Sequence, residues 1–111
     1  MKLRALVIAL PFAAYAACGG GTDTGVSCPP GSTLTYANFG KAFMQQNCTS
    51  CHGGREEPSL TTVESIRSFA SDIDEQAGAS TTITNTRMPE RGSVSVDDRR
   101  KLSQWLACGA P

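Results

Sequence analysis

Cys48-Thr49-Ser50-Cys51-His52 is the segment of this sequence whose residue types and spacing can do chemistry. Two thiols three positions apart, with an imidazole directly behind the second, fall on one side of a helical turn. Both sulfurs can then reach the two vinyl groups of one haem while the ring points at its iron. That spacing is the pattern of covalent haem c attachment. A zinc site would need four closely spaced Cys and His ligands, whereas the chain has a single histidine and no second Cys-x-x-Cys. A thioredoxin-like dithiol needs a strand before it in a βαβ setting, and the flanking sequence reads as helix.

Three helices and the loops between them must position this segment. Tyr36, Phe39, Phe43 and Met44 recur at helical spacing on a stretch ending near Asn47, after the Pro29-Pro30-Gly31 turn. Thr61-Thr62-Val63-Glu64 has a capping-box pattern, and Val63, Ile66, Ala70, Ile73 and Ala77 then step along one face until Gly78. The third helix starts at Ser95, carries Asp97 and Asp98 in its first turn, where they oppose the helix dipole favourably, and buries Leu102, Trp105 and Leu106 before Gly109. Thr81-Thr82-Ile83-Thr84 has strand propensity but no partner and is expected to be loop. The expected class is all-α.

With 111 residues, 40% hydrophobic and 18% charged, the chain is a single soluble domain. Ten basic residues against ten acidic ones leave no cationic field for nucleic acid. Lys2, Arg4 and the apolar run Leu3 to Phe12, followed by small residues, read as a signal peptide over residues 1–17, so the mature chain is exported. Ala16-Ala17-Cys18 before three glycines resembles the lipobox of bacterial lipoproteins, with Tyr15 where an aliphatic residue is usual. The resemblance implies a lipidated Cys18; a cut after Ala16 and a soluble product is the alternative. Five cysteines are an odd number for an exported protein, and lipidating Cys18 leaves four. Losing Lys2 and Arg4 takes ten basic residues to eight against ten acidic, a net charge of minus two. Residues 18–27, rich in Gly and Thr, are expected to form a flexible tether of roughly 15–18 Å, with the folded head at 28–111.

The stretch from Tyr36 to Leu106 resembles a small class I cytochrome c. Gly40 stands two helical turns before Cys48, where that family carries a small residue, and Leu102-Ser103-Gln104-Trp105-Leu106 matches its last helix. The resemblance implies an all-α cytochrome c fold around one covalent haem c, with Gly40 letting the first and last helices cross closely and Trp105 packed over the gap. Met44 stands where the family has an aromatic residue, and either it or Phe43 turns inward.

The second axial ligand follows by elimination. His52 is the only histidine, Met1 leaves with the signal peptide, and Met44 lies on the helix entering the attachment turn, so Met88 remains. Arg87-Met88-Pro89 resembles the family's methionine loop, with Pro89 restricting its neighbour and removing a backbone donor. Pro58 resembles the family proline whose carbonyl accepts the imidazole's other N–H. Leu60, Ile66, Ile73, Ile83 and Leu102 are candidates to line the haem pocket, and Arg87 or Arg91 to pair with a propionate. Arg99-Arg100-Lys101 reads as a solvated face, as do Glu56-Glu57. If the outer helices cross, Cys28 and Cys108 can meet and join in an oxidising compartment.

A haem iron with both axial positions filled has no vacancy for substrate. The expected function is therefore a single-electron carrier, not an enzyme, on the periplasmic face of a bacterial membrane, lipid-anchored, with a redox-protein donor and acceptor. The alternatives are a haem subunit of a larger dehydrogenase or oxidase complex, and a gas- or peroxide-reactive haem protein with a labile Met88.

Overall fold

A computed structural model describes residues 21–111. The signal peptide over 1–17, the lipidation of Cys18 and the start of the tether lie outside the described residues. The chain folds as a π-helical turn at Tyr36–Gly40 that runs into α1 (Lys41–Asn47), then α2 (Val63–Ser68), α3 (Ala70–Ala77) and α4 (Val96–Ala107). Among the described residues there is no strand, only an isolated bridge between Ala79 and Thr84. The fold is all-α, as expected, with four α-helices among the described residues in place of the three read from the sequence.

The first turn, α2 and α4 each begin where a side chain satisfies an orphan backbone N–H, whereas α1 and α3 continue from the turn before them without a side-chain cap. Thr35 and Asn38 form a reciprocal capping box at the first turn, Thr62 accepts from Ser65 N at 3.2 Å, and Ser95 accepts from Asp98 N at 3.1 Å. The second of these caps falls on Thr62, one residue later than the expected box. The periodic run from Val63 to Ala77 is broken at Phe69, which leaves the helical region at φ −109° and ψ 17°. Ser68 Oγ donates back to Glu64 O at 3.1 Å, a competing bond that bends helices, and the break still leaves Ile66 and Ile73 both in the core.

The core is shared by all four α-helices, with Trp105 and Leu102 of α4 and Ile66 of α2 fully enclosed. Phe43 and Met44 are both buried, which answers which of the two turns inward. A Cβ on Gly40 would meet Trp105 Cη2 and Cζ2 at 2.3 Å, so the glycine makes room for the indole itself. The Trp105 Nε1–H finds an acceptor in Pro111 O at 3.2 Å, satisfying its polar atom inside the core.

The tether needs correction over its described part. Thr24 is buried, its N–H and hydroxyl both donate to the Asp74 carboxylate, and Thr22 exchanges bonds with the Asn85 side chain. Glycine and threonine have little apolar surface, but their backbone and hydroxyl groups can satisfy a half-buried carboxylate, and that docks the segment on α3. Ser103 of α4 donates to the same Asp74, so one side chain joins three parts of the chain.

The sulfurs of Cys28 and Cys108 lie at disulfide distance, with Cα atoms 4.7 Å apart and a sequence separation of 80. Closing a loop of that length removes unfolded-chain entropy worth about 4–5 kcal/mol. A Cys28→Ser variant of the haem-free chain is expected to lose stability of that order in denaturant unfolding. A loss below about 1 kcal/mol, or two titratable thiols at these positions in the native chain, would count against the bond.

Candidate functional site

The attachment segment follows directly from the end of α1. Cys48 N–H closes the helix on Met44 O at 2.9 Å, and His52 N–H donates to Cys48 O at 2.8 Å, so Cys48 to His52 make one further α-like turn. This is the geometry that brings both sulfurs and the imidazole to the same side. The chain then doubles back: a Cβ on Gly53 would meet Thr49 O at 2.4 Å, and Leu60 N–H donates to His52 O at 2.8 Å. The loop between them carries Pro58, whose carbonyl lies 2.9 Å from His52 Nδ1. A carbonyl can only accept, so Nδ1 carries the proton and Nε2 keeps the free lone pair.

These residues face a cavity of about 610 Å³, within the roughly 300–1,000 Å³ usual for cofactor sites. Cys48, Cys51, His52 and Pro58 form one side of it; Met88 and Pro89, from the loop before α4, also line it. Its inner surface is made by Leu60 and by Ile73 and Ala77 of α3. Two thiols, an imidazole already oriented by a carbonyl, a thioether and an apolar floor around one space of this size fit a haem c. The donor set suits iron held by nitrogen and soft sulfur.

The two thiols differ. Cys51 is exposed, whereas Cys48 packs against the core and its burial pushes the thiol up to about 11. An unattached Cys48 is thus a neutral thiol at pH 7. The attacking thiol of a redox pair needs the opposite, a thiolate stabilised at neutral pH, so Cys48 is not set up for that role.

The other expected lining residues divide. Leu60 and Ile73 do line the cavity, whereas Ile66 and Leu102 are enclosed in the core behind it and Ile83 sits half-buried in the turn beyond α3. Of the two arginines, Arg91 lines the cavity and Arg87 does not. Glu56 and Glu57 are exposed as expected, yet they also border the cavity, together with Asp72 of α3 and Glu90. Ile73 was legible as a lining residue of α3, whereas its neighbours Asp72, Gln76 and Ala77, which also line the cavity, were not, since periodicity says that a face is covered and not by what.

A further expectation fails. Arg99 is not solvated: it is 5% exposed and its Nη1 donates to the carbonyls of Ala77, Asn85 and Met88 at 2.8–2.9 Å. Its position three residues before Leu102 puts it on the buried stripe of α4, which is the signal that could have found it. Arg100, next on the helix, turns outward and pairs with Asp97 at 3.9 Å.

The family model described as cytochrome C oxidase, cbb3-type, subunit III matches residues 37–106, from the π-helical turn to the end of the Trp105 helix face. No curated protein and no solved structure matches the chain.

Proposed function

Because the chain belongs to the family of cytochrome C oxidase, cbb3-type, subunit III, and is thus a small bacterial c-type cytochrome with one covalent haem c, we propose that it passes single electrons between redox proteins through that haem. The observation that carries the proposal is the convergence of Cys48, Cys51, His52 and Met88 on one cavity. Cys48 and Cys51 hold the haem through thioethers. His52 binds the iron through Nε2, with Pro58 fixing the plane of the ring. Met88, on the same cavity, would be the iron's second protein ligand, and its soft thioether would favour Fe(II) and raise the reduction potential. The haem supplies a one-electron Fe(III)/Fe(II) couple. Leu60, Ile73 and Ala77 would keep water from the bound group, and the exposed Cys51 lies where the site is open to solvent and so to a partner.

With His52 and Met88 both serving as ligands, the iron would have no free place for a substrate. The reduced holoprotein is therefore expected not to bind carbon monoxide on mixing, while Met88→Ala binds it fully. Both results are read from the haem spectrum. Rapid, complete binding by the unaltered protein would overturn the carrier assignment in favour of an open, ligand-reactive site.

The reading extends to location. An export signal over 1–17 and a lipidated Cys18 would hold the domain at the periplasmic face of a membrane, and among the described residues no helix is long and apolar enough to cross one. Docking of Thr22 and Thr24 on the domain shortens the free span between anchor and head. An intact mass of the mature chain, carrying haem and acyl chains together, tests this. A second reading, a haem subunit of a larger oxidase, is favoured by the description of the family itself. Co-purification of the tagged chain with oxidase subunits would select it over a free carrier.

A further inference from the structure

Among the described residues, Arg99 is the charged side chain taken into the core. The described ion pair, Arg100 with Asp97, does not include it. A buried guanidinium met only by carbonyl oxygens is costlier to keep than an apolar side chain of similar reach on the same helix face. The reason for its presence lies in which carbonyls it collects. Ala77 is the last residue of α3, so its carbonyl is one of the helix's unpaired acceptors at the negative end of the dipole. The other two belong to Asn85 and Met88, which bracket the segment leading to the cavity.

Met88 is thereby held through both of its peptide groups. Its N–H donates to Gln76 O of α3 at 2.9 Å, and its C=O accepts from Arg99 of α4 at 2.8 Å. Asn85 is tied in the same way, its N–H on Gly78 O at 2.9 Å and its C=O on Arg99 at 2.8 Å. Loops of this kind open locally at low cost unless their backbone bonds are buried, and here Arg99 supplies the buried ones from α4.

We propose that Arg99 is a positioning residue for Met88: by gathering the carbonyls of Ala77, Asn85 and Met88 it holds residues 85–88 so that the thioether stays on the cavity. The inference rests on Met88 being the iron's second axial ligand. It makes Arg99 the difference between a closed electron carrier and a haem open to small ligands.

The test uses the full-length holoprotein and its Arg99→Met, Arg99→Lys and Met88→Ala variants. Two signals are read: the rate at which cyanide binds the ferric haem, and the thioether-to-iron charge-transfer band followed on heating beside the helix signal in circular dichroism. Arg99→Met is expected to bind cyanide at least tenfold faster than the unaltered protein and to lose the band at a temperature where its helices persist. Arg99→Lys keeps the charge, but its side chain is shorter and its single nitrogen falls short of the place where Nη1 gathers the three carbonyls, so the variant falls between them. A folded Arg99→Met with the unaltered cyanide rate, or with band and helices lost together, overturns the inference, because a merely structural arginine lowers both signals at once. Should Arg99→Met fail to mature with haem, Arg99→Lys decides on the same rates, and no change from the unaltered protein overturns it. If Met88→Ala leaves the spectrum unchanged, the ligand assignment itself falls, a result read with Arg99 intact.

Discussion

Replacing Cys48 and Cys51 together by serine is expected to abolish covalent haem altogether: a denaturing gel stained for haem shows no band for the variant, although His52 and Met88 are intact. Serine keeps the size of the side chain and removes the sulfur that forms the thioether, so the loss reports the bond and not a collapse of the turn. The single variants should differ. Cys51 is exposed, so Cys51→Ser costs the bond alone and leaves one thioether able to hold haem. Cys48 packs against the core beside the end of α1, so Cys48→Ser also puts a hydroxyl into a largely apolar place, at about 1–3 kcal/mol where it finds no partner. The expected order of haem content is unaltered protein, Cys51→Ser, Cys48→Ser, then the double variant at zero. Haem retained by the double variant through denaturation would contradict the attachment site.

The second large effect falls on Trp105. It is fully enclosed, packs edge-on against Phe39 with ring centroids 6.1 Å apart, and donates its indole N–H to Pro111 O. Trp105→Ala should cost about 3–5 kcal/mol, a large share of the 5–15 kcal/mol that holds a domain of this size. Gly40→Ala approaches the same contact from the other side. In an open helix that change would stabilise by about 0.5–1 kcal/mol, but the added methyl would lie 2.3 Å from the ring, and overpacking at about 1–3 kcal/mol decides the sign. The two changes should not add. Once Trp105 is alanine, the methyl at position 40 has space, and Gly40→Ala in that background is expected to be neutral or stabilising. Urea unfolding of the four chains of the cycle measures this, and strict additivity would mean that the glycine answers to something other than the indole.

The helices were legible because their determinants are local. Ser95 as a cap, the acidic first turn of α4 and the apolar stripe of Leu102, Trp105 and Leu106 all act within one or two turns of chain. The break at Phe69 was not legible, because either a continuous or a kinked helix keeps Ile66 and Ile73 on the same side. Thr22 and Thr24 read as tether for a related reason: their composition carries no core, and only the presence of Asp74 and Asn85 some 50 to 63 residues away gives their polar groups partners.

The attachment segment Cys48 to His52 could be recognised from the chain alone, since its chemistry is set by covalent spacing within a single turn, and Met88 could be singled out because elimination left no other side chain. Where Met88 stands depends on carbonyl and guanidinium groups contributed by α3 and α4, and so does the burial of Arg99 in a run of three cations that looks solvated. Spacing along a chain specifies which groups share a face. Which of those faces loses its water, and which charge must then find oxygens from distant residues, is decided only when the helices have packed.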